Sequence, residues 1–369
     1  MRKYIPLVIL LGLFFNIQAQ NEIFKIHKKL STWGLQNIPV NVDFNSISIS
    51  NDEKFIAAAG AAGSFIIWNI NTGEIHKNLT DTTKDFLFLI RSLKSSNDSK
   101  YLAAVGSSIY LKFRLVNIDN KTTYEPVGKA VAKKVIRIYD AANFNLIKEI
   151  KYDTIADILS CTFTPDSKYL LTGEYISPVS SESRIRVWDT KTWNQVSSVN
   201  CIGMLWDLTF NSGGDKLYSA TSTNFISVWN FSNKNLTPLP QIKLVTKEID
   251  NISISSDDKF FSVNQDTIRI YKFDSINKFS QLSIYSYGLF CASFSKDGKY
   301  IISGQDHNNC NIWDAKTFSL LQSLQGDINI PLQNEDGNNY TRPIFSPKSK
   351  YIAMTNDAGM IYIFKRKEN

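Results

Sequence analysis

The stretch Ser295-Lys-Asp-Gly-Lys-Tyr-Ile301, followed shortly by Asn311-Ile-Trp-Asp314, decides the fold because it recurs along the chain. The same design, a polar turn, an apolar run and then an aromatic residue, is found at Thr164-Pro-Asp-Ser-Lys-Tyr-Leu170 and Ile185-Arg-Val-Trp-Asp189. Self-similarity at a fixed period indicates a repeat architecture before any local pattern does. We therefore expect one array of small, similar units.

Seven aromatic residues mark the third strand of each expected unit, and successive ones lie 71, 49, 41, 42, 42 and 51 residues apart. A spacing near 40–45 with four short strands per unit is typical of a propeller blade. Seven anchors therefore predict an all-β, seven-bladed β-propeller of four-stranded blades. The anchors, with the acidic residue that follows two of them, are Trp68, Tyr139, Trp188 with Asp189, Trp229, Tyr271, Trp313 with Asp314, and Phe364.

The last blade lacks a fourth strand, because the chain ends soon after Phe364. The segment Ile23–Leu30 resembles the outer strand expected at Gly73–Leu79, with His27 and His76 in the same place. We predict that this N-terminal strand pairs with the last one and closes the ring. Closure removes open sheet edges, which otherwise promote aggregation.

These units resemble WD40 repeats over nearly the whole chain. The Trp-Asp pair is intact in two blades and is softened to Trp68-Asn69 and Trp229-Asn230 in two others, while the Gly-His pair of the family is absent. Ser303, Asp306 and Trp313 match three members of the Ser/Thr–His–Asp–Trp network of the family. The resemblance implies a degenerate propeller whose blade-to-blade and second-to-third-strand loops open on one face.

The first residues have the composition of an export signal. Arg2 and Lys3 precede the apolar run Tyr4–Phe15, which is too short to span a bilayer, and Ile17-Gln-Ala19 precedes a cut before Gln20. We therefore expect a signal peptide at residues 1–19, a single propeller domain at residues 20–369, and a bacterial periplasmic or secreted protein. The alternative is an uncleaved anchor or a buried strand.

The formal net charge of +7 is modest for 369 residues, and the lysines are spread over the turns. Nucleic-acid binding predicts a basic stripe with interleaved aromatic residues, and the basic residues between Lys129 and Arg137 are too few for one. We expect neither a nucleic-acid partner nor a transmembrane segment.

Four cysteines are present. Cys291 and Cys310 are expected on the first and third strands of one blade, beyond disulfide reach at about 9–10 Å. Cys161 and Cys201 are expected in adjacent blades. We interpret all four as small apolar core residues.

Binding is expected on the face that carries the long loops, because loops on a rigid scaffold usually hold specificity. In blade two, Ile109–Val116 and Thr122–Val127 predict a hairpin that projects above this face. Its candidate contact residues are Lys112, Arg114, Tyr124 and Glu125. The alternative is that the hairpin only covers the edge of the blade.

Trp206 and Asp207 are expected at the mouth of the central channel, where Trp206 is an interaction anchor or a packing residue. Arg91 and Arg342 are expected to reach the same face.

The sequence has no nucleophile elbow, zinc-protease motif or phosphate-binding loop. The leading hypothesis is a non-enzymatic, monomeric scaffold for a protein or peptide, without a metal or cofactor. The alternative is an enzyme or small-ligand-binding protein with its site at the channel.

Overall fold

A computed structural model shows the chain as seven four-stranded antiparallel sheets. It describes residues 22–31, 44–60, 63–80, 86–118, 121–152, 157–177, 179–244, 249–264, 267–276, 278–282, 291–304, 309–326, 342–355 and 359–368. At residues 86–87, 109–118, 121–132 and 152 the description covers the backbone alone. The expected all-β, seven-bladed architecture is confirmed.

The first strand of the chain, β1 (Phe24–Ser31), belongs to the last blade. Blades one to three then follow in chain order, each with its innermost strand first. Their strands are β2 (Ser46–Ile49), β3 (Phe55–Ala59), β4 (Phe65–Asn69), β5 (Ile75–Asn78); β6 (Phe86–Ser95), β7 (Tyr101–Ile118), β8 (Lys121–Asp140), β9 (Leu146–Tyr152); β10 (Ile158–Phe163), β11 (Tyr169–Ser177), β12 (Glu182–Asp189) and β13 (Gln195–Ile202).

Blades four to six repeat the same order, and blade seven supplies the remaining strands. These strands are β14 (Leu205–Phe210), β15 (Lys216–Thr221), β16 (Phe225–Ser232), β17 (Asn235–Lys243); β18 (Asn251–Ile254), β19 (Phe260–Asn264), β20 (Ile268–Lys272), β21 (Phe279–Gln281); β22 (Ala292–Phe294), β23 (Tyr300–Gly304), β24 (Asn309–Asp314), β25 (Leu320–Gln325); β26 (Arg342–Phe345), β27 (Tyr351–Thr355) and β28 (Met360–Arg366).

The ring is closed by the N-terminal strand, as predicted. β1 pairs antiparallel with β28, with Phe24 opposite Arg366 and Leu30 opposite Ile361. The side chain of Gln322 in blade six fixes the strand from outside: its Oε1 accepts the backbone N–H of Phe24 at 2.9 Å, and its Nε2 donates to the Phe24 carbonyl at 2.7 Å.

The hydrophobic core is divided into seven layers, each between two neighbouring blades. β7 shows how one strand serves two layers: Leu102 and Ala104 pack towards blade one, whereas Ala103 and Val105 pack towards blade three. Successive side chains of a strand point to opposite faces of its sheet. Inner strands therefore read as continuous apolar runs, because both faces are covered.

The anchor residues sit in these layers, and six of the seven aromatic rings are buried; Trp313 is partly buried. The indole N–H of Trp313 donates to the hydroxyl of Ser303 at 2.9 Å, and that of Trp188 donates to Thr172 at 3.0 Å. Asp189 and Asp314 accept backbone N–H groups of the turn that follows them. The Ser303–Trp313 pair of the expected network is thus present, while Asp306 lies outside the described residues.

The turns between first and second strands define the lower face, and they hold one another. The side-chain amide of Asn51 donates to the Asn97 carbonyl at 2.5 Å, that of Asn97 donates to the Pro165 carbonyl at 3.1 Å, and Glu53 accepts the backbone N–H of Lys348 at 2.8 Å. These bonds join four consecutive blades across the ring closure and brace this face.

One sequence expectation about the cysteines is wrong. Cys161 lies in β10 and Cys201 in β13, so both belong to blade three rather than to adjacent blades. The outer strand β13 extends to Ile202 and β14 begins at Leu205, so Cys201 lies in β13 and not in a loop into blade four. All four cysteines are free thiols.

Candidate functional site

The upper face is the one on which blades join one another and second strands join third strands. The hairpin predicted there in blade two is confirmed by the backbone pairing, in which Arg114 lies opposite Glu125 and Leu115 opposite Tyr124. It is the direct continuation of β7 and β8 rather than a separate insert. The side chains of Lys112, Arg114, Tyr124 and Glu125 lie outside the described part, so their proposed contacts stay a prediction.

The hairpin extends beyond the other two strands of its blade. β6 pairs with β7 as far as Tyr110, and β9 pairs with β8 as far as Lys134. Beyond these residues β7 and β8 continue as a two-stranded ribbon to the pair Ile118 and Lys121. A two-stranded ribbon is marginally stable by itself in water, so this one depends on its base.

The base of the hairpin is fixed by a buried ion pair between blades two and three. Lys134 Nζ lies 3.0 Å from Glu174 Oε2, and both side chains are almost fully buried. Arg186 Nε contacts the other carboxylate oxygen of Glu174 at 2.7 Å. Burial lowers the pKa of Lys134, against the opposing attraction of Glu174. The cluster holds the ribbon base in one orientation relative to blade three.

A recess of about 370 Å³, here called the mouth pocket, opens at the centre of the upper face. All seven blades contribute to its wall, which therefore surrounds the ring axis. The lining residues are Asn45, Arg91, Leu159, Trp206, Asp250, Asn251, Cys291 and Arg342.

Three of these residues are displayed by β-bulges in consecutive innermost strands. The register shifts around Arg91 in β6, around Leu159 in β10 and around Trp206 in β14. A bulge leaves one residue unpaired and re-aims its side chain. Here each bulged side chain lines the mouth pocket.

Glycines opposite two of the bulges make the close approach possible. A Cβ on Gly106 would lie 1.9 Å from the Leu89 carbonyl oxygen, and one on Gly173 would lie 2.5 Å from Ser160 Oγ. The contact at Gly106 is with backbone, so this position requires glycine; at Gly173 the side chains of Ser160 and Leu205 would have to shift.

The pocket is built largely from one repeated position, five residues before the residue that starts each lower-face turn. In blades one to five this position is occupied by Asn45, Arg91, Leu159, Trp206 and Asp250. The sequence analysis placed Trp206, Arg91 and Arg342 on this face but missed Leu159, Asn251 and Cys291. Counting back from each turn would have found Leu159 at once.

Charged and aromatic groups line the same pocket. Arg91 Nη2 lies 3.2 Å from Asp157 Oδ2, and both side chains remain partly exposed. Arg342 Nη1 donates to the Phe44 carbonyl at 3.3 Å. Trp206 is 38% exposed, among the largest apolar side chains that the described residues leave in contact with solvent.

Asp207 does not line the pocket as expected, but supports its wall. Its carboxylate accepts the Leu208 N–H at 2.9 Å and the side-chain amide of Asn251 at 2.6 Å, which joins blade four to blade five. Burial raises the pKa of Asp207, while the positive charge of Lys94 opposes the shift. Asp207 thus holds the side chain of Asn251 in the pocket wall.

Burial disfavours ionisation of the pocket thiol. Burial raises the pKa of Cys291 to about 11, with Arg342 acting in the opposite direction. The thiolate is the nucleophilic and metal-binding form of cysteine. Within the described ranges no three His, Cys, Asp or Glu side chains gather as a metal site, and no helix there is long and apolar enough to cross a membrane.

Residues 150–189 and 280–314 match the protein family described as "WD domain, G-beta repeat". These segments cover much of blades three and six, which carry the intact Trp-Asp pairs. The chain is thus a seven-bladed β-propeller with WD40-type repeats in these two blades. Propellers of this family typically serve as non-catalytic scaffolds for protein interactions.

Two plant proteins are similar to this chain. It is 24% identical over 294 residues to the WD repeat-containing protein WDS homolog of Arabidopsis thaliana, which covers 76% of this chain and 49% of the relative. It is 22% identical over 238 residues to autophagy-related protein 16 of the same plant, covering 63% and 43%. The chain spans half or less of the length of these relatives.

Proposed function

We propose that this WD40 propeller is exported and acts as a non-enzymatic scaffold that holds a protein or peptide on its upper face, centred on the mouth pocket. The observation that carries the proposal is Trp206, which a bulge displays between Leu159 and Asp250 in a wall that also carries Arg91 and Arg342. Trp and Arg are enriched among the residues that dominate binding energy at interfaces.

The rest of the scaffold supports this site. Hydrogen bonds between the lower-face turns of blades seven, one, two and three brace the ring beneath the pocket. The blade-two hairpin rises from the blade that also supplies Arg91, and it forms one side of the binding surface. Lys112, Arg114, Tyr124 and Glu125 are its contact residues in this proposal.

The binding site is tested by site-specific photo-cross-linking in the native organism. The cross-linking amino acid benzoylphenylalanine replaces Trp206 in one variant and the lower-face residue Lys168 in a control. We expect one discrete adduct at Trp206 and none at Lys168. The purified partner should bind Trp206→Ala at least tenfold more weakly, since hot-spot truncations cost about 2 kcal/mol or more. Equal affinity, or adducts at Lys168 alone, would refute the proposal.

The hairpin is tested separately by deleting residues 119–124 at its tip. Binding weakened with an unchanged melting temperature supports a contact role, whereas unchanged binding removes the hairpin from the site.

Export is tested on the protein expressed with residues 1–19 in place. We expect the periplasmic or secreted form to begin at Gln20, as read by mass spectrometry of the intact chain. A full-length chain retained in the cytoplasm would contradict this part of the proposal.

A further inference from the structure

The wall of the mouth pocket is divided by chemistry. Arg342, Asn45 and Arg91 come from the consecutive blades seven, one and two, and form a cationic and polar arc. Leu159 and Trp206 follow on blades three and four and form an apolar arc. A ligand in this pocket therefore meets positive charge on one side and an aromatic and aliphatic surface beside it.

The cationic arc suits a carboxylate. A guanidinium is a planar fork that binds carboxylates through two parallel hydrogen bonds. Arg91 already faces the carboxylate of Asp157 at 3.2 Å, in a partly exposed pair, and partly exposed ion pairs contribute little to stability. A ligand carboxylate can therefore share Arg91 at little cost. The bond to the Phe44 carbonyl orients Arg342 within the same wall.

The remaining wall selects against further negative charge. Asp250 and Asn251 of blade five stand beyond the apolar arc, and the nearby carboxylate of Asp207 holds the Asn251 amide at 2.6 Å. A second acidic group placed there would meet Asp250. The pocket thus fits one carboxylate next to one apolar group.

The positions of the carboxylate and the apolar group along a polypeptide decide which part of it can enter the pocket. In an extended chain, neighbouring side chains point to opposite sides. An internal acidic residue and its apolar neighbour therefore cannot both enter one axial recess. A C-terminal residue carries its carboxylate and its side chain on one Cα.

We propose that the mouth pocket binds the C-terminal residue of a partner polypeptide, with the terminal carboxylate at Arg91 and Arg342 and an apolar or aromatic side chain on Trp206 and Leu159. This inference rests on the proposed function, because it requires that the upper face binds a polypeptide.

The test uses two octapeptide libraries that end in Phe and are random elsewhere, one with a free C-terminal carboxylate and one with a C-terminal amide. The full-length chain is immobilised, and retained peptides are identified by mass spectrometry. We expect retention from the acid library, and at least tenfold weaker binding of each selected peptide after amidation, measured by fluorescence anisotropy.

Variants then assign the carboxylate to the arginines. The double variant Arg91→Gln/Arg342→Gln should bind the peptide with a free C-terminal carboxylate only as tightly as the peptide with a C-terminal amide. The matched control is Arg184→Gln, because Arg184 bonds Asn200 outside the pocket. N-acetylphenylalanine tests whether the terminal residue alone suffices, and we expect it to bind at least tenfold more weakly than the peptide.

Equal binding of acid and amide peptides would overturn this inference, as would retention of neither library or equal binding of N-acetylphenylalanine. These results leave the proposed function standing if the Trp206 cross-link maps to an internal segment of the native partner. Both fall together if that cross-link is absent.

Discussion

Replacing Phe24 by Ala should open the ring at its closure. Phe24 is completely buried between blades six and seven, where its ring contacts Tyr300 edge-on at 6.0 Å and Phe345 at 6.3 Å between centroids. It is the first residue of the only strand that comes from the other end of the sequence in the described sheets. Its loss therefore weakens the closure itself.

The loss of unfolding free energy expected for Phe24→Ala depends on how far the surrounding residues can move to fill the cavity. Core Phe→Ala changes cost about 3–5 kcal/mol, and rigid sites lie at the upper end. Gln322 bonds the N–H and carbonyl of residue 24 and fixes the backbone around the cavity. We therefore expect a loss of about 4–5 kcal/mol.

Urea unfolding followed by far-UV circular dichroism measures this loss, and limited proteolysis locates it. The control is Lys25→Ala, because Lys25 is exposed on the same strand. We expect early cleavage of the Phe24 variant near residues 22–31, with the other blades protected. A loss under 1 kcal/mol, or uniform cleavage of all blades, would show that the N-terminal strand does not close the ring.

Three further predictions concern other parts of the ring. Lys134→Met should cost about 3 kcal/mol, because it leaves the Glu174 carboxylate buried with one partner fewer; a thermal melt unchanged from wild type would contradict this. Gly106→Ala should cost about 3 kcal/mol or more, since the Leu89 carbonyl blocks its Cβ, and should weaken any ligand contact of Arg91; urea unfolding and a binding titration measure both effects. The stability of the fold should decrease as the pH falls below about 3.9, the ordinary pKa of an aspartate carboxyl. Simultaneous Asp→Asn replacement of the turn carboxylates Asp52, Asp166, Asp257 and Asp297 should flatten this pH dependence in thermal melts.

The sign of the acid effect comes from the hydrogen bonds of the turns. At Asp166, burial opposes ionisation, but bonds from the Thr164 hydroxyl and the Lys168 backbone N–H outweigh it and lower the pKa. A carboxylate whose folded pKa is depressed stabilises the fold above its unfolded pKa. That contribution is lost as the pH falls through the folded value, so melts that do not change between pH 5 and pH 2.5 would contradict the reasoning.

The sequence by itself determined the number of blades, the strand order and the closing strand. Each blade carries its own local code, such as the turn at Lys296–Lys299 followed by Trp313, and such codes depend on neighbours in the chain. The likeness between Ile23–Leu30 and the first outer strand was enough to predict a pairing between the two ends of the chain, such as Leu30 with Ile361. The blade-two hairpin was equally readable, because alternation and turn residues set its register.

Only the tertiary structure brings the lining residues of the mouth pocket together. Arg91, Leu159 and Trp206 are separated by dozens of residues and become neighbours because the ring brings the first strand of every blade to one axis. Their aim depends on bulges, which change pairing by one residue and leave no strong mark in a single sequence. The same reason applies to Asp207, one residue beyond the bulge, whose carboxylate bonds the lining residue Asn251 and does not itself line the pocket.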